Sequence, residues 1–381
     1  MNTEEIIEIQ KEERRKCIDA IINSESKNKL IIAGAGTGKT YTFLEVLKAN
    51  SEGNNIALTF INSLTNDMAS VIDDLAEVKT FHAYCKKILH EQNGKVDLYP
   101  FLTQIIEEDA YNLGLILKDF DKQFQLLNED SPEVNFYIDR GDYYEAVSFN
   151  DSVYRLYRIL LDEPDIVPSF DQILIDEFQD FNFLEVSFIN ELEKKGNILI
   201  VGDDDQSVYD NRYASPKYLR EKYHSKNYEY FDLPFCGRCP EAIVKAANVF
   251  LGNAEKTGHL TGRVQKRFEC YIGSKESDSL RFPYIHTVQC TTGKIVAKYV
   301  DKVIQTISID DIEESWKDGS RYSTVLITGP RQYLTIIQNV LADKYPQMVY
   351  KHSEQQDLRV IDGYNILLNN SKSNLGWRVL L

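Results

Sequence analysis

Long apolar runs are missing from this sequence. No stretch of its 381 residues stays apolar long enough to span a bilayer. The first residues, Met1-Asn2-Thr3-Glu4-Glu5-Ile6, lack the basic start and apolar core of a secretion signal. The expectation is a cytoplasmic protein with no membrane contact. Cysteine is scarce. Cys17, Cys85, Cys236, Cys239, Cys270 and Cys290 are too few for a disulfide framework in a chain of this length. Cys236-Gly237-Arg238-Cys239 has the spacing of half a zinc site or a redox pair. Cys270 and Cys290 supply no second pair, so reduced cysteines around a functional arginine is the better reading. Positive charge is in deficit: 43 Lys and Arg against 59 Asp and Glu leave a formal charge of −16. That argues against nonspecific coating of nucleic acid but not against a local basic groove. Acidic stretches such as 309–314 read as solvated surface. Internal repeats and low-complexity tracts are absent as well.

What is present is a phosphate cradle. Leu30 to Ile32 reads as a buried strand, and Ala33-Gly34-Ala35-Gly36-Thr37-Gly38 follows as a small-residue loop. Lys39-Thr40 then open a helix-compatible segment that begins with Tyr41. Small residues let successive backbone N–H groups face phosphate oxygens, and the helix adds its positive end. Lys39 reaches the outer phosphates, and the Thr40 hydroxyl suits Mg²⁺. By itself the loop specifies a nucleoside triphosphate such as ATP and nothing finer.

The length predicts two or three domains. Residues 4–23 read as a helix; a strand lies at 55–60, a short strand passes into a helix over 78–85, and apolar strands that end in acids lie within 172–180 and 197–207, alternating with helices. That order predicts an α/β fold with a parallel sheet. Residues 91–164 break the rhythm with helical periodicity and read as an insertion between strands. The first ATP-binding domain is therefore expected over 1–90 and 165–227. A second sheet domain is expected over 228–381, with strands at 284–288 and 324–328 and helices near 293–307 and 331–342.

Two strands end in acids, at Asp176-Glu177 and at Asp203-Asp204-Asp205-Gln206. In a parallel sheet such ends share one edge with the phosphate loop. Asp176 suits Mg²⁺, and Glu177 suits activation of the attacking water. Gln206 is placed to sense the γ-phosphate. Arg238 is the candidate for a charge reaching the transferring phosphoryl group from the second domain.

At this point the sequence resembles the UvrD/Rep type of superfamily 1 helicases. Ala33 to Thr40 looks like motif I, Thr59-Phe60-Ile61-Asn62 like motif Ia and Thr80-Phe81-His82 like motif Ib. Asp176-Glu177-Phe178-Gln179-Asp180 is similar to motif II, Gly202 to Tyr209 to motif III, and Arg238 to Ile243 to motif IV. The resemblance implies two RecA-like domains with ATP and Mg²⁺ in the cleft, the second incomplete here. It implies 3′ to 5′ movement on single-stranded DNA, with contacts from Phe60, Asn62, His82, Tyr209 and Arg212. It also suggests Gln10 as the residue that reads adenine.

The chain departs from the family pattern. Asn211 stands where motif III has a stacking tryptophan, Gly237 where motif IV has a tyrosine, and Ser63 where motif Ia has a lysine. The arginine that usually follows the loop threonine is Tyr41, which is expected to take over stacking on the base. Motifs V and VI are not matched. The expectation is a truncated translocase or helicase, or one completed by a protein partner. The alternative is a regulatory ATP-binding switch that controls a partner such as a nuclease.

Overall fold

The apolar runs at 28–33, 55–59, 172–175 and 197–202 become strands, and burial on both faces explains why. The computed structural model describes residues 2–59, 69–72, 74–93, 97–209, 212–310, 313, 327–346, 348 and 360–381. Its strands are β1 Asn28–Ala33, β2 Asn55–Thr59, β3 Glu77–Thr80, β4 Asp97–Leu98, β5 Ala146–Val147, β6 Gln172–Ile175, β7 Asn197–Gly202, β8 Glu229–Leu233, β9 Phe235–Cys236 and β10 Glu269–Cys270. Six form one sheet in the order β3-β2-β6-β7-β1-β8. Every neighbouring pair in it is parallel.

A parallel sheet needs cover on both sides. Side chains alternate along a strand, so Leu30 and Ile32 of β1 face one core and Ile31 and Ala33 the other. The second core is closed by Ile21 of helix α1 (Thr3–Asn23) and by Phe43 and Leu47 of helix α2 (Lys39–Lys48). The first is closed by Phe81, Phe178, Phe181 and Phe188 and continues into the insertion through Phe120, Phe124 and Tyr137. The insertion is helical, as its periodicity predicts, with helices Leu102–Asn112, Phe120–Gln125, Pro132–Tyr144 and Phe149–Asp162. Ser131 caps the third of these by accepting from the Val134 N–H, with Pro132 in the first turn.

The expected boundary at residue 228 needs correction. β8 pairs with β1 along Lys29–Ala33 and completes the first sheet. Residues 1–285 and 358–381 form one compact unit. Arg238 therefore belongs to the same unit as the phosphate loop. Residues 284–288 form no strand. The helix Asn374–Leu380 packs Leu375 and Val379 into the insertion's core, and Arg378 Nε bonds Asp109 Oδ1 at 2.8 Å.

The other unit, residues 286–357, contains the helices Gly293–Gln305 and Arg331–Leu341. They meet through Ala297, Ile337 and Leu341, and Lys344 pairs with Asp301 at 2.6 Å. No strand occurs among its described residues. Residues 324–326 of the strand expected there lie outside the described residues. Among the described residues, no helix is long and apolar enough to cross a membrane.

Candidate active site

The loop between β1 and α2 turns through two left-handed glycines, Gly36 at φ +71° and Gly38 at φ +97°. Other segments press on it closely. A Cβ on Gly36 would overlap Arg238 Cβ, and the Gly36 carbonyl accepts from the Gly237 N–H at 2.9 Å. A Cβ on Gly34 would lie 2.6 Å from the Phe268 ring, and one on Gly38 would lie 2.9 Å from Arg14 Nη2. Only glycine fits this combination of backbone and neighbours. Ala33 ends the buried strand, Ala35 is half-buried, and Thr37 donates to the Gly34 carbonyl at 3.0 Å. Thr40 lies in the first turn of α2.

β1 and β6 end on the same edge of the sheet, which brings Lys39 to the acids. Lys39 Nζ lies 2.7 Å from Glu177 Oε1 and 4.0 Å from Asp176 Oδ1. Burial pulls the Lys39 pKa down, but Asp176, Glu177 and Asp203 together raise it above its ordinary value. Asp176 is buried, and that burial pushes its pKa up to about 6 against the pull of Lys39. A buried carboxylate with its nearest cation at 4.0 Å fits a divalent ion, which would favour the ionised form. Asp176 would be one residue to hold it, and Thr40, expected as the other, lies in the first turn of α2.

Glu177 adopts φ 51° and ψ 44°, a left-handed conformation rare for glutamate. Holding it there costs on the order of 1–3 kcal/mol. Lys39 holds one carboxylate oxygen, and Gln179 Nε2 donates to the other at 2.8 Å. Gln179 Oε1 in turn accepts from the Asp203 N–H at 2.9 Å. Asp203 Oδ2 accepts from Gln206 Nε2 at 2.5 Å. An unbroken polar chain thus runs from Lys39 through Glu177, Gln179 and Asp203 to Gln206. Sequence reasoning left Gln179 out of the site, although it stands inside the quoted motif. Its signal was the need to hold two strand ends together. Gly202 makes room for it, since a Cβ there would lie 2.9 Å from Gln179 Oε1.

Asp203, Asp204 and Asp205 are close enough to one another to hold a metal ion. Cations already fill that role. Lys266 lies 2.6 Å from Asp203 and also pairs with Asp205, Arg220 lies 2.9 Å from Asp204, and Arg263 lies 2.7 Å from Asp205. Sequence reasoning found none of these partners.

Gln10 is buried, and its amide bonds to backbone. Its Nε2 donates to the Cys270 carbonyl at 3.1 Å, and its Oε1 accepts from the Ile272 N–H at 2.9 Å. One N–H and one oxygen lone pair of the amide are thus engaged by backbone. One turn along α1, Arg14 takes the place beside the loop. Its guanidinium carbon lies 5.4 Å from the Tyr41 ring centre and 5.2 Å from that of Tyr271.

Two of the expected DNA contacts, Phe60 and Asn62, lie outside the described residues. His82 and Arg212 converge on Glu185, at 3.5 Å and 3.8 Å from its Oε1. His82 is buried, edge-on to Phe149, and burial pushes its pKa down to about 3, with Arg212 adding to the effect. It is neutral at physiological pH. Burial raises Glu185 to about 7, against the pull of Arg212. Tyr209 is half-buried, and its carbonyl accepts from the Arg212 N–H at 2.9 Å. The structure therefore joins His82 and Arg212 around an acid that the sequence did not single out, with the Tyr209 carbonyl bonded to the Arg212 backbone.

A family model described as an AAA domain matches residues 18–212, just over half of the chain. Among curated relatives, a DNA helicase II from Haemophilus influenzae is 28% identical over 279 residues, covering 59% of this chain and 38% of its own length. An ATP-dependent DNA helicase PcrA from Staphylococcus aureus is 26% identical over 281 residues, covering 60% and 38%. A DNA helicase II from Salmonella typhimurium is 28% identical over 234 residues, covering 48% and 32%. The chain thus spans 38% or less of the length of these relatives.

Proposed function

We propose that this chain, which belongs to the AAA domain family in its UvrD/Rep type of superfamily 1 helicases, carries the ATP-hydrolysing site of a DNA translocase. The observation that supports this best is the polar chain from Lys39 to Gln206. It links the residue that would meet the γ-phosphate to the segment that would meet DNA.

The residues take these roles. Backbone N–H groups of 34–40 cradle the phosphates of ATP, and Lys39 neutralises the outermost ones. Thr40 and Asp176 hold Mg²⁺, which when bound offsets charge on the phosphate oxygens. Glu177 leaves Lys39 when phosphate arrives, and its carboxylate orients the attacking water and takes its proton. Gln179 keeps that carboxylate aimed. Arg238, exposed beside Gly36, supplies positive charge to the transferring group. Gln206 reports loss of the γ-phosphate to Tyr209 and Arg212, which with Phe60 and Asn62 meet single-stranded DNA, while His82 stays buried beside Glu185 and Phe149. Tyr41 stacks on the base. The direction is 3′ to 5′. Residues 1–90 and 165–233 make the first RecA-like domain, 91–164 its insertion, and a second domain begins in the later part of the chain.

ATP turnover with and without single-stranded DNA, across a salt series, tests the reading. The expected result is a DNA-stimulated rate that falls steeply as salt rises. A rate indifferent to DNA refutes it.

A further inference from the structure

We propose that Cys236 and Cys239 form a vicinal dithiol site that reacts with small-molecule disulfides, and that closing it weakens the neighbouring phosphate loop. The sequence offered only the spacing, with no further pair to complete it. The structure adds three observations. First, β10 pairs in register with β9 and sets Cys270 directly beside Cys236, so three of the six cysteines share one cluster with Val244 and Phe268. Second, the turn folds Cys239 back onto Cys236, whose Sγ accepts from the Cys239 N–H at 3.4 Å. Cys270 Sγ instead donates to the Cys239 carbonyl at 3.5 Å. Third, the cluster touches the loop. A Cβ on Gly36 would lie 3.3 Å from Cys236 Sγ, and the Gly237 N–H holds the Gly36 carbonyl at 2.9 Å.

Access orders the chemistry. Cys236 is buried and Cys239 half-buried, so Cys239 meets the reagent. Its thiolate attacks one sulfur of the disulfide, forming a mixed disulfide and releasing one thiolate. Cys236 then loses its proton to water and attacks Cys239 Sγ, forming the internal bond and releasing the second thiolate. Two protein thiols are oxidised and one small disulfide is reduced to two thiols. Burial raises the Cys239 pKa, and Cys236 raises it further, while Arg238 and Lys275 pull it down. The exchange therefore speeds up as pH rises. The new bond encloses Gly237 and Arg238, the two residues packed on Gly36. Redrawing that turn moves the Gly237 N–H and Arg238 Cβ against the cradle.

The consequence for ATP rests on the nucleotide reading above; the dithiol itself does not. Trypsin cuts after Arg238, between the two cysteines. The full chain treated with oxidised glutathione should yield the peptides Asn227–Arg238 and Cys239–Lys245 joined by a reducible bond. ATP affinity should fall roughly five- to a hundredfold and recover with dithiothreitol. By reciprocity, saturating ATP should disfavour the bond by the same factor. Cys239→Ser should bind ATP as the reduced wild type does and ignore the oxidant. Cys270→Ser should still form the link. Absence of the joined peptides, a link through Cys270, or unchanged ATP affinity in the oxidised chain each overturns the proposal. A reduced chain that fails to bind ATP sinks the nucleotide reading instead, and the peptide map then judges the dithiol alone.

Discussion

Gln179 gives the most demanding test of the polar chain. Its side chain is 1% exposed and serves both partners at once, donating to Glu177 at 2.8 Å and accepting from the Asp203 N–H at 2.9 Å. Gln179→Leu fills most of the space but removes both bonds. The Asp203 N–H is then buried without an acceptor, which costs about 1–3 kcal/mol. Glu177 keeps Lys39 but loses the contact that aims its second oxygen. The expected loss of stability is about 2–3 kcal/mol, read as a fall of roughly 5–10 °C in thermal midpoint. ATP turnover should fall about a hundredfold, since a base displaced by about 1 Å loses that much. Gln206→Ala is the contrast. Asp203 keeps Lys266 at 2.6 Å, so no buried group is orphaned. Its stability should stay within about 0.5–1 kcal/mol of wild type, while DNA-stimulated turnover falls. Because both residues act through Asp203, the double variant should lose much less turnover than the product of the single losses. Turnover losses that multiply independently refute the chain, as does a Gln179→Leu variant with unchanged stability.

Asp176 predicts a pH dependence. Its carboxyl sits at about 6 in the fold against an ordinary 3.8, chiefly through burial. The stability it contributes is complete below about pH 4 and is lost as pH rises through 6. Above that, the ionised group burdens the nucleotide-free fold. Asp176→Asn should raise the thermal midpoint at pH 7.5 by the equivalent of up to about 2–3 kcal/mol, give no gain near pH 4, and abolish Mg²⁺-dependent turnover. A gain that is the same at both pH values refutes the cause. For the base, Tyr41→Ala should weaken ATP binding while leaving inorganic triphosphate binding intact, and Lys39→Ala should abolish both. Equal losses for ATP and triphosphate in Tyr41→Ala would show that Tyr41 does not stack on the base.

Much of this architecture was legible because its causes are local. Leu30 to Ala33 are apolar at successive positions, and only a strand buried on both faces uses such a run well. The loop glycines, Lys39 and the acids at 176 and 177 follow their strands directly, so strand order alone brings them to one edge. What escaped reading depends on distant partners. Glu185 reads as an ordinary second member of a capping box with Asn182, and it is that. Its other role appears only when His82 and Arg212 arrive from two further segments. Arg14 escaped for a related reason. α1 is 21 residues long, and a helix of that length can present either of two successive turns to the loop. The packing of residues 270–272 chose Arg14.

The misplaced boundary at 228 has the same origin, and it changes how the site is built. Residues 263–272 run as a strap across the phosphate loop. Arg263 and Lys266 fasten one end to Asp205 and Asp203. Phe268 lies over Gly34, Cys270 sits beside Cys236, and the Ile272 N–H fastens the other end to Gln10. The charges explain why the first fastening is tight. Three aspartates in a row would repel one another and depress folding unless matched, and Arg220, Arg263 and Lys266 supply three positive charges. Removing Lys266, whose side chain is 4% exposed, would leave the buried Asp203 with Gln206 as a side-chain partner. The strap and Gln206 therefore hang on one carboxylate. β8 adds the covalent link, since it enters the first sheet before the chain turns into Cys236 and Arg238. A segment tied at both ends and through its middle to the first sheet belongs with it, even though its sequence looks like the start of something new.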